Sequence, residues 1–339
     1  MKPSEGEQEI SSRWREHDPE WDYSLQPASL DEFIGQEAIC NRLEIVTCAA
    51  KMRKEPLGHS LLVGPPGLGK TTIAQLLARK MEGQITITSG PVIEKAGDLA
   101  GIITHLERGD LLFIDEIHRL KKPIEEYLYP AMERFSLDLL IDSGPNARSV
   151  QIPIRPFTLI GATTKMGLLS SPMRSRFAHT FRLEYYSVEE LVEVISRSSR
   201  LLQLKIDQKA AREISLRARG TPRIANHLLR WVRDYAQAHH LSCLSHSVAI
   251  KALDMSSVDP LGLEGLDQKM LLVLIRDYRG GPVGISALAA VLGEDKETLE
   301  EVYEPYLVSR GLIRRTPRGR EATTFAFRHL EKIKLLSPS

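Results

Sequence analysis

Leu61-Leu62-Val63-Gly64-Pro65-Pro66-Gly67-Leu68-Gly69-Lys70-Thr71-Thr72 is the stretch that decides the fold. It joins an apolar run to the pattern G-x-x-x-x-G-K-T and then to a helical spacing through Ile73, Leu76, Leu77 and Met81. The apolar run reads as a buried strand. The glycines let consecutive backbone N–H groups wrap phosphates that side chains would otherwise obstruct. Lys70 is placed to reach the β- and γ-phosphates, and the Thr71 hydroxyl to meet Mg²⁺. The helix starting near Lys70 adds its positive end. The stretch therefore specifies a site for a nucleoside triphosphate.

Working outward, strand and helix signals alternate: strands near 61–63, 85–88, 111–114 and 157–160, with helices over 71–81 and 123–134. That alternation predicts an α/β fold, a parallel sheet covered by helices. Leu137 to Ile141, Asp142-Ser143-Gly144-Pro145-Asn146, and Val150 to Ile154 read as a hairpin inserted at 137–154. A helical pattern through Ile39, Leu43, Val46 and Ala50 precedes the first strand. Residues 187–257 read as nearly all helical, with Pro222 opening a helix after Gly220-Thr221. The turn at Asp259-Pro260-Leu261-Gly262 separates a third unit, 260–339. Its three helices and two short strands around Arg314–Arg320 outline a winged helix. Residues 1–24 are polar, with isolated Trp14 and Trp21, and are expected to be mostly disordered. The large α/β unit is then 25–186.

Composition narrows the function classes. The chain has 339 residues, with 45 Lys and Arg against 44 Asp and Glu, a net charge of +1. No global basic field exists, so any nucleic-acid site must be local. The cysteines Cys40, Cys48 and Cys243 lack metal spacing, a pattern that fits a reducing cytoplasm. No apolar run is long enough to span a membrane and none resembles a signal peptide. A cytoplasmic location is expected.

Leu111-Leu112-Phe113-Ile114-Asp115-Glu116 is a second apolar strand, ending in two acids. Mg²⁺ needs a carboxylate near Thr71, and hydrolysis needs a base to orient water. Asp115 suits the first role and Glu116 the second. Thr158-Leu159-Ile160-Gly161-Ala162-Thr163-Thr164 brings a further hydroxyl, Thr164, to the strand tips, where it serves as γ-phosphate sensor or as a turn former. Arg174 and Arg176 follow. An arginine offered to a neighbour's γ-phosphate stabilises transition-state charge, and an ordinary surface ion pair is the alternative. Arg223 opens a helix from which it is placed to fold over phosphates, with a purely structural role as the alternative. Arg310, Arg314, Arg315, Arg318 and Arg320 lie in a segment, 306–320, without Asp or Glu. A wing tip rich in Arg, Pro and Gly suits phosphate contact. The preceding helix, with Glu297, Glu300 and Glu301, is acidic and unsuited to reading base edges.

Together, Gly64–Thr72, Asp115-Glu116-Ile117-His118-Arg119-Leu120, Gly161-Ala162-Thr163-Thr164 and Gly220-Thr221-Pro222-Arg223-Ile224-Ala225-Asn226 resemble AAA+ ATPases, and more narrowly the RuvB family. Tyr129-Pro130-Ala131-Met132-Glu133, Gly281-Pro282-Val283-Gly284 and Arg315-Thr316-Pro317-Arg318-Gly319-Arg320 strengthen the resemblance, which runs from about 25 to 330. It implies an ATP- and Mg²⁺-dependent, ring-forming DNA translocase driving Holliday-junction branch migration in recombination and repair. The non-motor alternative is a clamp-loader or initiator type. It further implies a nucleotide site of Leu25, Gln26, Gly67, Gly69, Lys70, Thr71, Thr72, Glu133 and Tyr186. Thr164 and Arg223 become sensors, and Arg176 a finger acting in trans. Arg315, Arg318 and Arg320 become DNA contacts. The implied partners are double-stranded DNA at the junction, RuvA docked on the 137–154 hairpin, the RuvC resolvase and five further copies of the chain in a hexamer, with no membrane involved. The family usually reads Leu-Arg-Pro where this chain has Leu25-Gln26-Pro27, and Arg134 stands where an acid is usual.

Overall fold

The computed structural model describes residues 24–140 and 149–336. The expected disorder of the N-terminal segment and the turn at Asp142–Asn146 thus lie outside the described residues. The chain divides into two compact units. One runs up to Glu190 and includes Thr221–Arg223; the other comprises Leu191–Gly220 and the residues from Ile224 onward.

The first unit is built on five strands: β1 (Ser60–Val63), β2 (Ile85–Ser89), β3 (Leu111–Asp115), β6 (Thr158–Thr163) and β7 (His179–Arg182). Their order is β2-β3-β6-β1-β7, and every pairing is parallel. A parallel sheet covered on both faces needs continuous apolar strands. Leu61, Leu62, Leu111 to Ile114, Leu159, Ile160 and Ala162 meet that need, each essentially inaccessible to solvent. Because the strands are parallel and neighbouring, Val63, Asp115 and Thr163 all end on one edge. The loop 64–69 and the helix Lys70–Met81 start from that edge.

Strand β7 escapes the sequence pattern. His179-Thr180-Phe181-Arg182 carries one apolar side chain, Phe181, and that one is fully buried. The helix Ala96–Thr104 also goes unannounced; its first turn is closed by Asp98, whose carboxylate accepts from the Glu94 and Lys95 N–H groups. The inserted strands β4 (Ser136–Leu140) and β5 (Ser149–Pro153) pair antiparallel, from Ser136 opposite Pro153 to Leu140 opposite Ser149.

In the second unit, helices Gln208–Arg217, Pro222–Ala238 and His246–Met255 follow Val188–Leu201. Among the described residues between Leu191 and Met255 the only β feature is a bridge between Ile206 and Leu244. The C-terminal part then has helix Gly265–Leu272, continued by a wider turn to Asp277, and helix Ile285–Leu292. A further helical stretch, Lys296–Ser309, is widened at Leu299–Tyr303. Strands β8 (Ile313–Thr316) and β9 (Gly319–Ala322) form the wing. A last helix, Thr324–Lys332, is capped by the Thr323 hydroxyl, which accepts from Ala326 N. Its Ala326 and Leu330 fill the core beside Leu271, Leu274, Leu288 and Leu307. No helix of the described residues is long and apolar enough to cross a membrane.

Candidate active site

The loop 64–69 is packed from two sides. Gly67 (φ +80°) and Gly69 (φ +94°) hold left-handed backbone that favours glycine. A Cβ on Gly67 would lie 3.3 Å from the Arg223 Cβ and 3.6 Å from the Thr221 Cβ, and one on Gly69 would press the Phe33 ring at 3.1 Å. Lys70, only 7% exposed, donates to the carbonyls of Gly64 (2.8 Å) and Pro65 (2.9 Å). Burial pushes its pKa down, while the carboxylates of Asp115 and Glu116 oppose that shift. The ammonium thus sits inside the loop, braced by the loop's own carbonyls. Thr71 and Thr72, half-buried, begin the helix beside it.

The tips of β3 and β6 form one polar network. Asp115 Oδ1 accepts from the Glu116 N–H at 2.9 Å. Glu116 adopts φ +44°, which turns the chain sharply after the strand. Its Oε2 accepts from the Thr164 hydroxyl at 3.2 Å and lies 3.1 Å from His118 Nδ1. The same His118 nitrogen is 2.9 Å from Thr163 Oγ1, which in turn accepts from Lys165 N at 3.0 Å. A carboxylate held between a threonine and a histidine, at the strand edge where the phosphate loop starts, is oriented before any substrate arrives.

Arg176 follows the short helix Ser171–Ser175. Its guanidinium pairs with Glu133 Oε1 (2.9 Å), donates to Pro172 O (2.7 Å) and stacks 4.0 Å over the Tyr129 ring. Its Nε is buried and has no hydrogen-bond partner among the described residues. These side chains line a surface recess of about 440 Å³ with Glu126, Arg134 and Asp138. Tyr186 is buried against Gly35, and burial pushes its phenol pKa well above the usual range. Leu25 is buried and Gln26 half-buried.

On the wing, Glu304 is fully buried and accepts from Arg315 Nε (2.6 Å) and Arg320 Nε (2.9 Å) through one oxygen. Arg320 Nη2 reaches its other oxygen (3.1 Å) and Glu300 Oε1 (2.9 Å). The hydrogen bonds that Arg320 donates to Glu304 raise its pKa further, so its charge is fixed. Arg314 pairs with Glu321 at 2.8 Å. Arg318 is exposed and makes no ion pair among the described residues.

Three family models match consecutive stretches of this chain, from residue 25 to residue 331. The Holliday junction DNA helicase RuvB P-loop domain matches residues 25–183, the RuvB AAA lid domain 186–259 and the RuvB C-terminal winged helix domain 260–331. The chain belongs to the RuvB family. It is 57% identical to the Holliday junction branch migration complex subunit RuvB of Protochlamydia amoebophila, over 95% of this chain and 97% of that one. The RuvB of Parabacteroides distasonis is 50% identical over 96% of this chain and 95% of that protein. Among solved structures, the Thermotoga maritima RuvB Holliday junction branch migration motor superposes with a TM-score of 0.83 at 50% identity. That match covers 91% of this chain and 98% of the other.

RuvB membership makes the α/β unit an AAA+ P-loop nucleotide-binding domain, so the fold class read from the sequence stands. Within that RuvB frame the structure brings Lys70, Glu116 and Thr164 to one strand edge, and Arg223 onto the loop at Gly67. It joins Glu133 to Arg176 as an ion pair. It turns Arg320 inward, 16% exposed, while Arg315 keeps 55% of its side chain open. Sequence reasoning gave no role to Phe33 or Thr163, and none to His118 although it lies within a quoted motif. Only His118 left a signal, two residues after Glu116.

Proposed function

We propose that this RuvB-family ATPase works as a hexameric ring, each subunit hydrolysing ATP with Mg²⁺ and drawing duplex DNA through a Holliday junction. The observation that supports this reading is that one chain carries both an oriented glutamate beside a phosphate loop and an arginine-bearing wing. In our reading Lys70 leaves the Gly64 and Pro65 carbonyls for the β- and γ-phosphates. Glu116 orients water and takes its proton as the water oxygen bonds to the γ-phosphorus and the bond to ADP breaks. Thr164 senses the γ-phosphate, and Arg223 reports it to the helix Pro222–Ala238. Arg176 serves a neighbouring subunit. Glu133 and Tyr186 border the nucleotide. Leu25 and Gln26 border the base.

No group of three or more metal-ligating side chains occurs among the described residues. That fits Mg²⁺, which binds through one or two protein oxygens plus phosphates rather than an all-protein cage. Thr71 and Asp115 would hold it. The ion supplies charge neutralisation on the phosphates.

RuvA docks on the β4–β5 hairpin in this reading, and RuvC joins the larger complex. The three free thiols, Cys40, Cys48 and Cys243, suit work in a reducing cytoplasm. The test is a labelled four-way junction incubated with the full chain, RuvA and Mg²⁺. Duplex products should form with ATP and not with a non-hydrolysable analogue. Hydrolysis with no junction movement would point instead to a non-motor AAA+ protein of the clamp-loader or initiator type.

A second expectation concerns the wing. Arg318→Ala should weaken duplex binding by a similar factor on unrelated sequences, and should lower the log–log salt slope by about 0.9 per subunit engaged. Glu304→Gln should also weaken binding, although it removes a negative charge, because Glu304 holds Arg315 and Arg320 in place. Tighter binding by Glu304→Gln would show that this acid merely repels DNA.

A further inference from the structure

The link between the helical segment and the winged helix is clamped by buried charge. Arg217, 4% exposed, donates to Val258 O (2.7 Å) and Asp254 Oδ1 (2.8 Å). Arg219, 7% exposed, forks onto Asp267, with Nη1 to Oδ2 at 3.0 Å and Nη2 to Oδ1 at 3.4 Å. Asp267 is fully buried in the first turn of helix Gly265–Leu272. The same guanidinium lies 4.3 Å over the Tyr306 ring, and the Tyr306 hydroxyl donates to Leu261 O at 2.6 Å. Asp259 accepts from the N–H groups of Leu261 and Leu263 and meets His329 Nε2 at 2.6 Å. Gly262 (φ +75°) is pressed so close that a Cβ there would lie 2.4 Å from Arg217 O. A plain turn would absorb motion. This one is held by directional, desolvated bonds from both sides.

Sequence position gives the clamp its meaning. Arg219 is followed by Gly220 and then by Thr221 and Arg223, the two residues that cover the loop glycine Gly67. We propose that Arg219, Asp267 and Tyr306 form a coupling joint, which passes displacement of the Thr221–Arg223 segment to the winged helix so that each ATP hydrolysed moves DNA. The three are positioning residues and touch neither nucleotide nor DNA. The proposal rests on the motor reading given above.

The experiment follows ATP hydrolysis and junction movement in one reaction, with the full chain, RuvA and a labelled four-way junction. Duplex affinity is measured alongside. Asp267→Asn should hydrolyse ATP within about twofold of the unaltered chain and bind duplex equally, while junctions moved per ATP fall about tenfold, as expected for a lost coupling of ordinary size. Asp267→Glu, which keeps the charge, should restore most of the ratio. Tyr306→Phe removes the hydroxyl and its bond to Leu261 O and leaves no bare charge. It should lower the same ratio less, and it decides the matter if Asp267→Asn does not fold. The joint is overturned if the ratio stays at the unaltered value in the folded variants, or if it falls only in step with duplex affinity. Failure of the unaltered chain to move junctions while hydrolysing ATP would sink the motor reading itself, and the joint with it.

Discussion

Glu116→Gln is expected to bind ATP as the unaltered chain does and to lose turnover by about 10²–10⁴-fold, the usual contribution of a positioned base. The glutamine keeps the size of the side chain and an oxygen for the Thr164 hydroxyl to meet, so the fold and the strand-edge network at 3.2 Å should survive. What disappears is the proton acceptor. Lys70→Ala should behave differently. Its ammonium is the buried cation inside the loop, so its loss removes phosphate binding itself. Equilibrium binding of a fluorescent ATP analogue separates the two variants, and phosphate release measures turnover. Hydrolysis by Glu116→Gln at the unaltered rate would reject Glu116 as the base.

Arg176→Ala should cost about 10³–10⁵-fold in turnover if the guanidinium stabilises transition-state charge on a neighbour. In the single chain this arginine is held by Glu133 at 2.9 Å and by the Tyr129 ring, so it is preformed and waiting at the surface recess. Arg176→Ala subunits keep an intact loop, and Lys70→Ala subunits keep the arginine. Mixed rings should therefore recover part of the lost ATPase, because some interfaces pair a good loop with a good arginine. Rings shown to contain both subunits, yet inactive at every mixing ratio, would count against a shared site. Arg174, exposed two residues earlier, is the control: the same experiment on Arg174→Ala should show no loss to recover.

The parts legible in the sequence are those whose chemistry is written in consecutive residues. The phosphate loop needs glycine, lysine and threonine in order, and Asp115-Glu116 needs only the end of an apolar strand. The winged helix announced itself through helix lengths and the turn before Arg320. Other features depend on partners distant in the chain. Phe33 closes on Gly69 from thirty-six positions away. Strand β7 is a strand because β1 lies beside it, not because His179-Thr180-Phe181-Arg182 prefers extension. The set of basic wing residues reads as one patch in sequence. Folded, it divides into Arg318, open to solvent, and Arg320, closed over Glu304 and Glu300. The hint was present in the acids at 300 and 304, one helical turn apart on the preceding helix. The Arg219–Asp267 fork gave no hint, since forty-eight residues separate two common side chains.

Glu300 and Glu304, on the helix before the wing, are turned onto the head's own arginines. A head that grips duplex as proposed, through phosphates alone, has no address written into it. Every stretch of a chromosome presents it with the same row of phosphates, so it is indifferent to text and sensitive only to form. Choosing where to work then falls to whatever recognises four strands meeting, and the motor is free to start at any locus where a crossover happens to arise.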